Sequence, residues 1–224
     1  RELVNEIIKL SLFSLFAGFS GAIIMNIDTI MVNQMLGLSE TGVYGIAFFF
    51  GSIMLIPARS INRITSSIVA EAMKINNSAE VKKLYNKTCN TGIAVGNILF
   101  IGIFININNI MLLLPPEYAS GKNVILFIGA GYIAEMSTGI NQVILANSKY
   151  YYYDGFFVLF IVGITVLSNY LLIPIYGITG SAMATAITVT STNIIRWGFL
   201  FYKFKMQPYD INSVKLIFIS IATF

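Results

Sequence analysis

Apolar stretches of membrane-crossing length alternate with short polar breaks along almost the whole chain. The first such stretch, 10–36, carries Asn26 and Asp28 in its second half. At about 1.5 Å per residue it is long enough to cross a hydrocarbon core of roughly 30 Å as a helix. A turn at 37–41 bears Glu40, and the pattern predicts a second span from Gly42 through Pro57, prolonged as an amphipathic extension to about Ala72. Arg59 and Arg63 lie one helical turn apart on that extension. Residues 71–88 form the longest polar segment and read as a loop containing Lys74, Lys82, Lys83 and Lys87. Further spans are predicted at 91–114, closed by Pro115 and Pro116, at 123–146 with Glu135 near its middle, at 155–173, and at 178–202 after a tight turn at 174–177. A seventh begins at Val214 and is cut off at Phe224.

A backbone inside lipid must satisfy its own hydrogen bonds, so each span is expected to be helical. The expected fold class is therefore all-α: a polytopic transmembrane helical bundle of six spans plus a truncated seventh. Residues 1–205 form the six-helix bundle, and 206–224 a linker and the start of a further helix. The chain starts at Arg1 and stops inside an apolar run, which reads as a piece of a longer protein.

Composition strengthens the membrane reading. Of 224 residues, 56% are hydrophobic and 11% charged, with a mean hydropathy of +0.77. That leaves too few charges to cover a water-soluble domain of this size. The net charge of +4 does not point to nucleic acid, because the basic residues sit at span ends and not on one face. Of the 14 Lys and Arg residues, all but Lys122 fall on one side of the six-span threading. Retention of positive charge then makes the start of the chain and the 71–88 loop cytoplasmic, with anionic membrane lipids as neighbours. Tyr150 to Tyr153 suit an interfacial aromatic belt. Gly42, Gly45, Gly180, Ser181, Ala182 and Ala184 suit close helix approach. Cys89 has no disulfide partner within the chain, and there is no His for a zinc site or a His-based triad. No cofactor and no enzymatic machinery are expected.

Three segments carry a family resemblance. Residues 169–185 read NYLLIPIYGITGSAMAT, preceded at 140–150 by INQVILANSKY, and 27–45 read IDTIMVNQMLGLSETGVYG. Asn169, Leu172, Ile173, Pro174, Tyr176, Gly177 and Gly180 make up the most specific pattern. The chain resembles the C-terminal half of a bacterial polysaccharide exporter, a lipid-linked oligosaccharide flippase of the O-antigen type in the multidrug/oligosaccharidyl-lipid/polysaccharide superfamily. The resemblance implies one half of a MATE-like two-bundle transporter in the bacterial cytoplasmic (inner) membrane. Its partners would be an N-terminal bundle of the same chain and a polyprenyl pyrophosphate-linked oligosaccharide, moved by alternating access.

The candidate functional residues follow from the cost of burying charge. A carboxylate facing lipid at mid-membrane costs about 2.5–3.5 kcal/mol on insertion scales, so Asp28 and Glu135 should face the bundle interior. Glu135 heads a polar strip with Ser137, Thr138, Asn141 and Gln142. It could take up a proton or a sodium ion, or serve as an interhelical clasp. Asp28, with Asn26, could serve ion coupling, or be a polar contact at its helix end with Asn26 or the following turn. Arg59 and Arg63 offer guanidinium forks suited to phosphate oxygens, with snorkelling to headgroups or pairing with Glu71 as the alternative. Asn141 and Gln142 are candidates for substrate contact, and Asn106, Asn108, Asn109, Asn169 and Asn193 could line a sugar-accommodating cavity. The competing functions are a drug or metabolite antiporter of the same superfamily, with an aromatic, acidic cavity for cations, and a membrane-embedded glycan polymerase or glycosyltransferase.

Overall fold

The computed structural model of the protein describes residues 26–223. Most of the predicted first span lies outside them. Among the described residues there is no strand. Helix α1 covers 26–36, and Gly37 joins it to α2, Leu38–Ser52. Then follow α3 (Leu55–Lys74), α4 (Ser78–Leu112), a 3-10 turn at Pro116–Gly121 and α5 (Lys122–Ser137). The order closes with α6 (Asn141–Ala146), α7 (Tyr151–Tyr176), α8 (Ile178–Phe204) and α9 (Ile211–Thr223).

Two of these helices, α4 and α7, are each long and apolar enough to cross a membrane, with mean hydropathies of 1.8 and 2.4. A third crossing is added if α2 and α3 act as one span bent by 55°. The expected six spans and truncated seventh are met to this extent, and the shortfall has physical causes. The second span breaks because the Pro57 ring would clash with the carbonyl of residue 53, just where α2 ends. The predicted fourth span breaks at 138–140 around Gly139, whose φ is 62°. As a result Glu135 lies two residues from the end of α5 and not at mid-span. α8 has the length, but Thr185, Thr188, Thr192, Asn193 and Arg196 make it too polar to pass alone.

The predicted loop at 71–88 is instead a helical hairpin. α3 runs to Lys74, Asn76 reverses the chain at φ 55°, and the Asn77 side chain caps α4 by accepting from the Glu80 amide at 3.2 Å. With 35 residues, α4 is about 50 Å long, more than a bilayer core requires. The expected turn at 174–177 shrinks to one residue. Pro174 lies inside α7, and Gly177 at φ 59° separates α7 from α8. A Cβ at Gly180 would stand 2.1 Å from the Leu172 carbonyl oxygen, so only glycine permits this approach of α8 to α7. Ser181, Ala182 and Ala184 are buried in the same contact region, as expected of small residues. Gly42 and Gly45 face open space and support no close approach.

α5 and α8 form the centre of the bundle, with α7 against α8 and both α2 and α4 against α5. One apolar core joins Val32, Tyr44, Met54, Ile125, Ile128 and Ala182. A second gathers Val69, Val81, Tyr85, Ile144 and Leu200. The outer surface is apolar too: α4 exposes Ile98 and Ile105, and α7 exposes Phe156, Phe160, Leu167 and Ile175. Apolar side chains all around a helix suit lipid and not water.

Candidate functional site: a charged cavity within the bundle

A cavity of about 410 Å³ is lined by residues of α1, α2, α3, α5, α7 and α8. It brings together Asp28, Arg59 and Glu135, which are separated by up to 107 residues in sequence (135 − 28). Thr165, Thr185 and Thr188 add hydroxyls, and Phe48 and Tyr132 add aromatic walls.

Each carboxylate is held by protein donors. The buried Asp28 accepts from the Tyr44 hydroxyl at 2.6 Å, from Thr185 at 3.5 Å and from the Thr29 amide at 2.9 Å. Tyr44 is fully buried, so this bond ties α2 to α1 at the cavity wall. Glu135 accepts at 2.7 Å from the Asn193 amide nitrogen, which also donates to the Val189 carbonyl at 2.9 Å. The Asn193 oxygen in turn accepts from Thr138 and Asn141, both at 2.8 Å. Asn193 is 1% exposed, and its full hydrogen-bonding capacity is used. This hub locks the break between α5 and α6 onto α8 and orients Glu135 toward the cavity.

Arg59 differs from both acids. Its side chain is exposed on the cavity, and it makes no hydrogen bond or ion pair with another described residue. A guanidinium in that state presents its donors to whatever enters.

The other candidates lie elsewhere. Arg63, one turn further along α3, is exposed and outside the cavity. Gln142 is exposed on α6, whereas Asn141 is buried in the Asn193 hub and acts behind Glu135 instead of lining the cavity. Asn26 is exposed at the start of the described residues and is not part of the lining. Asn106, Asn108 and Asn109 sit exposed near the end of α4, where Asn108 accepts from Lys122 at 2.9 Å. Asn169 is buried and accepts from Ser181 at 2.8 Å, joining α7 to α8. None of these four asparagines lines the cavity.

Sequence reasoning missed Tyr44 and the three threonines. Thr185, Thr188 and Thr192 recur at spacings of three and four on α8, a polar stripe that was legible as one helix face. Also missed was the ion pair of Arg196 with Asp154, at 2.8 Å and largely buried. Among the described residues no group of three or more acidic, His or Cys side chains is arranged to hold a metal ion. Comparisons with protein-family models, with curated proteins and with solved structures returned no match. The functional reading therefore rests on the chemistry of this cavity and on the motifs of the chain.

Proposed function

We propose that this chain is one bundle of a transporter that moves lipid-linked oligosaccharide across the bacterial inner membrane by alternating access. One observation carries the reading: in a cavity holding two carboxylates and a guanidinium, the carboxylates are engaged by described residues and the guanidinium by none of them. Arg59 is thereby left to receive the pyrophosphate of the carrier lipid bidentately, while the threonine hydroxyls meet sugar hydroxyls. The bundle threads α1, the bent pair α2–α3, α4, the broken pair α5–α6, α7 and α8 through the bilayer, with α9 beginning a further crossing. Its lysine-bearing hairpin at 74–87 faces the cytoplasm. A second bundle of the same chain closes the cavity, and rocking of one bundle against the other exposes it alternately to the two sides. An anion leaving a negative interior gains about 2.3 kcal/mol per charge per 100 mV, and Glu135 couples the cycle to inward movement of a proton or sodium ion.

The same cavity supports a second reading. Two carboxylates beside Phe48 and Tyr132 suit an organic cation, as in a drug or metabolite antiporter. One experiment separates the two. In cells making the full-length protein, Arg59→Ala should slow export of lipid-linked glycan roughly tenfold or more at unchanged membrane abundance. Undiminished glycan export, together with efflux of aromatic cations that falls with Asp28→Asn, would select the antiporter instead.

A further inference from the structure

A second cavity, of about 490 Å³, opens where α3 and α8 end and α4 and α7 begin. Lys74 from the end of α3, Lys149 from the α6–α7 connection and Lys203 from the last turn of α8 all line it. No Asp or Glu does. Among the described residues these lysines make no ion pair with an acid. Two of the ammonium groups are instead gathered over one aromatic ring, since Lys149 Nζ and Lys203 Nζ lie 5.2 and 5.6 Å from the centroid of Tyr150. That ring is fixed edge-on against Phe199 and Phe204.

Lys74 and Lys203 each complement the negative end of their own helix, which accounts for a lysine in each last turn. It does not account for their meeting a third lysine around one concave space. The remaining polar lining adds to the positive character. Ser78 is the first residue of α4, and Tyr150 is the residue that caps α7, so the positive ends of two long helices border the cavity.

We infer that this cavity binds a phosphomonoester, with the three ammonium groups of Lys74, Lys149 and Lys203 around its oxygens. A phosphomonoester carries close to two negative charges at neutral pH and presents three acceptor oxygens, whereas a phosphodiester carries one charge. A convergence of three cations in a cavity whose described lining holds no acid matches the former. The group can come from the headgroup of a membrane lipid or from a soluble phosphate. This inference is independent of the transport reading, because none of its residues lines the central cavity.

The test uses the full-length protein in phosphatidylcholine nanodiscs doped with phosphatidic acid or, separately, phosphatidylglycerol, with lipid retention read by native mass spectrometry. Phosphatidic acid should be retained in preference to phosphatidylglycerol. Retention should fall about fivefold for each lysine changed to glutamine. The triple variant Lys74→Arg/Lys149→Arg/Lys203→Arg should keep it, and the control Lys82→Gln/Lys83→Gln, outside the cavity, should leave it unchanged. Inorganic phosphate as competitor distinguishes the sources: displacement of the lipid marks a site open to soluble phosphate, and persistence of the lipid marks a headgroup site. Equal retention of the two lipids, or a triple glutamine variant of unchanged helical content that binds phosphatidic acid as the wild type does, overturns the inference.

Discussion

Two arginines in this bundle have opposite surroundings. Arg196 on α8 is 6% exposed, and its Nε donates to Asp154 at 2.8 Å. Arg59 on α3 faces a cavity that contains Asp28 and Glu135, yet it pairs with neither. The difference lies in the carboxylates and not in the arginines. Asp28 is already engaged by Tyr44 and Thr185, and Glu135 by Asn193. A buried cation is tolerated only when paired, and Asp154 supplies that partner for Arg196. A charge lining an open cavity keeps its water, and can exchange that water for a ligand. Burial together with pairing thus separates a charge that serves the fold from one that is available to bind.

The comparison is tested most severely at Asp154. Asp154→Ala leaves the Arg196 guanidinium enclosed without a counter-charge and should cost about 3–5 kcal/mol. Thermal unfolding of the purified protein in detergent and its abundance in the membrane would both register the loss. Arg59→Ala, measured in parallel, should stay within about 0.5 kcal/mol of the parent. Similar stability of the two variants would abolish the distinction drawn between the two arginines.

Much of this arrangement was legible from residue types alone, though with uneven precision. The helical character of the chain and the lipid-compatible surface follow from the long apolar stretches. Asp28 and Glu135 were identifiable because charges inside apolar runs are costly, and Arg59 because it follows Pro57 with a guanidinium suited to phosphate; all three line one cavity. What escaped were features set by tertiary neighbours. Hydropathy cannot tell a lysine-rich loop from the exposed first turns of a long helix, so the 74–87 hairpin read as a loop. Arg196 read only as one of the cations at span ends, because its partner lies 42 residues away on α7. Asn193 was one of several asparagines in an asparagine-rich chain, and only packing made it the hub that holds Glu135, Thr138 and Asn141.

That hub supplies the next test, of intermediate size. Asn193→Leu removes the donor to Glu135 and the acceptor shared by Thr138 and Asn141, leaving buried polar groups unpaired at a cost of about 1–3 kcal/mol. Glu135→Gln should be far milder, because the glutamine carbonyl still accepts from Asn193. It should nonetheless abolish any response of transport by the full-length protein to an imposed proton or sodium gradient. If Glu135→Gln lowers the unfolding temperature as much as Asn193→Leu does, the charge of Glu135 serves assembly and belongs with Arg196, not with Arg59.

The smallest effect is expected at Asp210, a carboxylate that is satisfied without a cation. It caps α9, where the Asn212 and Ser213 amides donate to it at 2.9 Å each, and the Asn90 side chain reaches it from α4 at 3.2 Å. Hydrogen bonds from the Ser213 backbone first, and from Asn90 next, hold its carboxyl below the usual aspartate value. A lowered value means that the charged form favours the docked state. Its contribution is therefore complete above the ordinary aspartate value of about 3.9 and is lost as pH falls through the lowered one. Amide hydrogen exchange along α9, taken relative to the intrinsic rate of an unprotected amide at each pH, should accordingly be flat between about pH 5 and 8 and quicken only in stronger acid. In Asp210→Asn that acid-dependent quickening should vanish. The side chain is half-buried and its partners lie only on α9 and α4, so the change should remain local to α9, whereas loss of Asp154 weakens the whole bundle. Acid quickening that is identical in Asp210→Asn would show that other contacts hold α9 against α4, and that this carboxylate contributes to neither fold nor site.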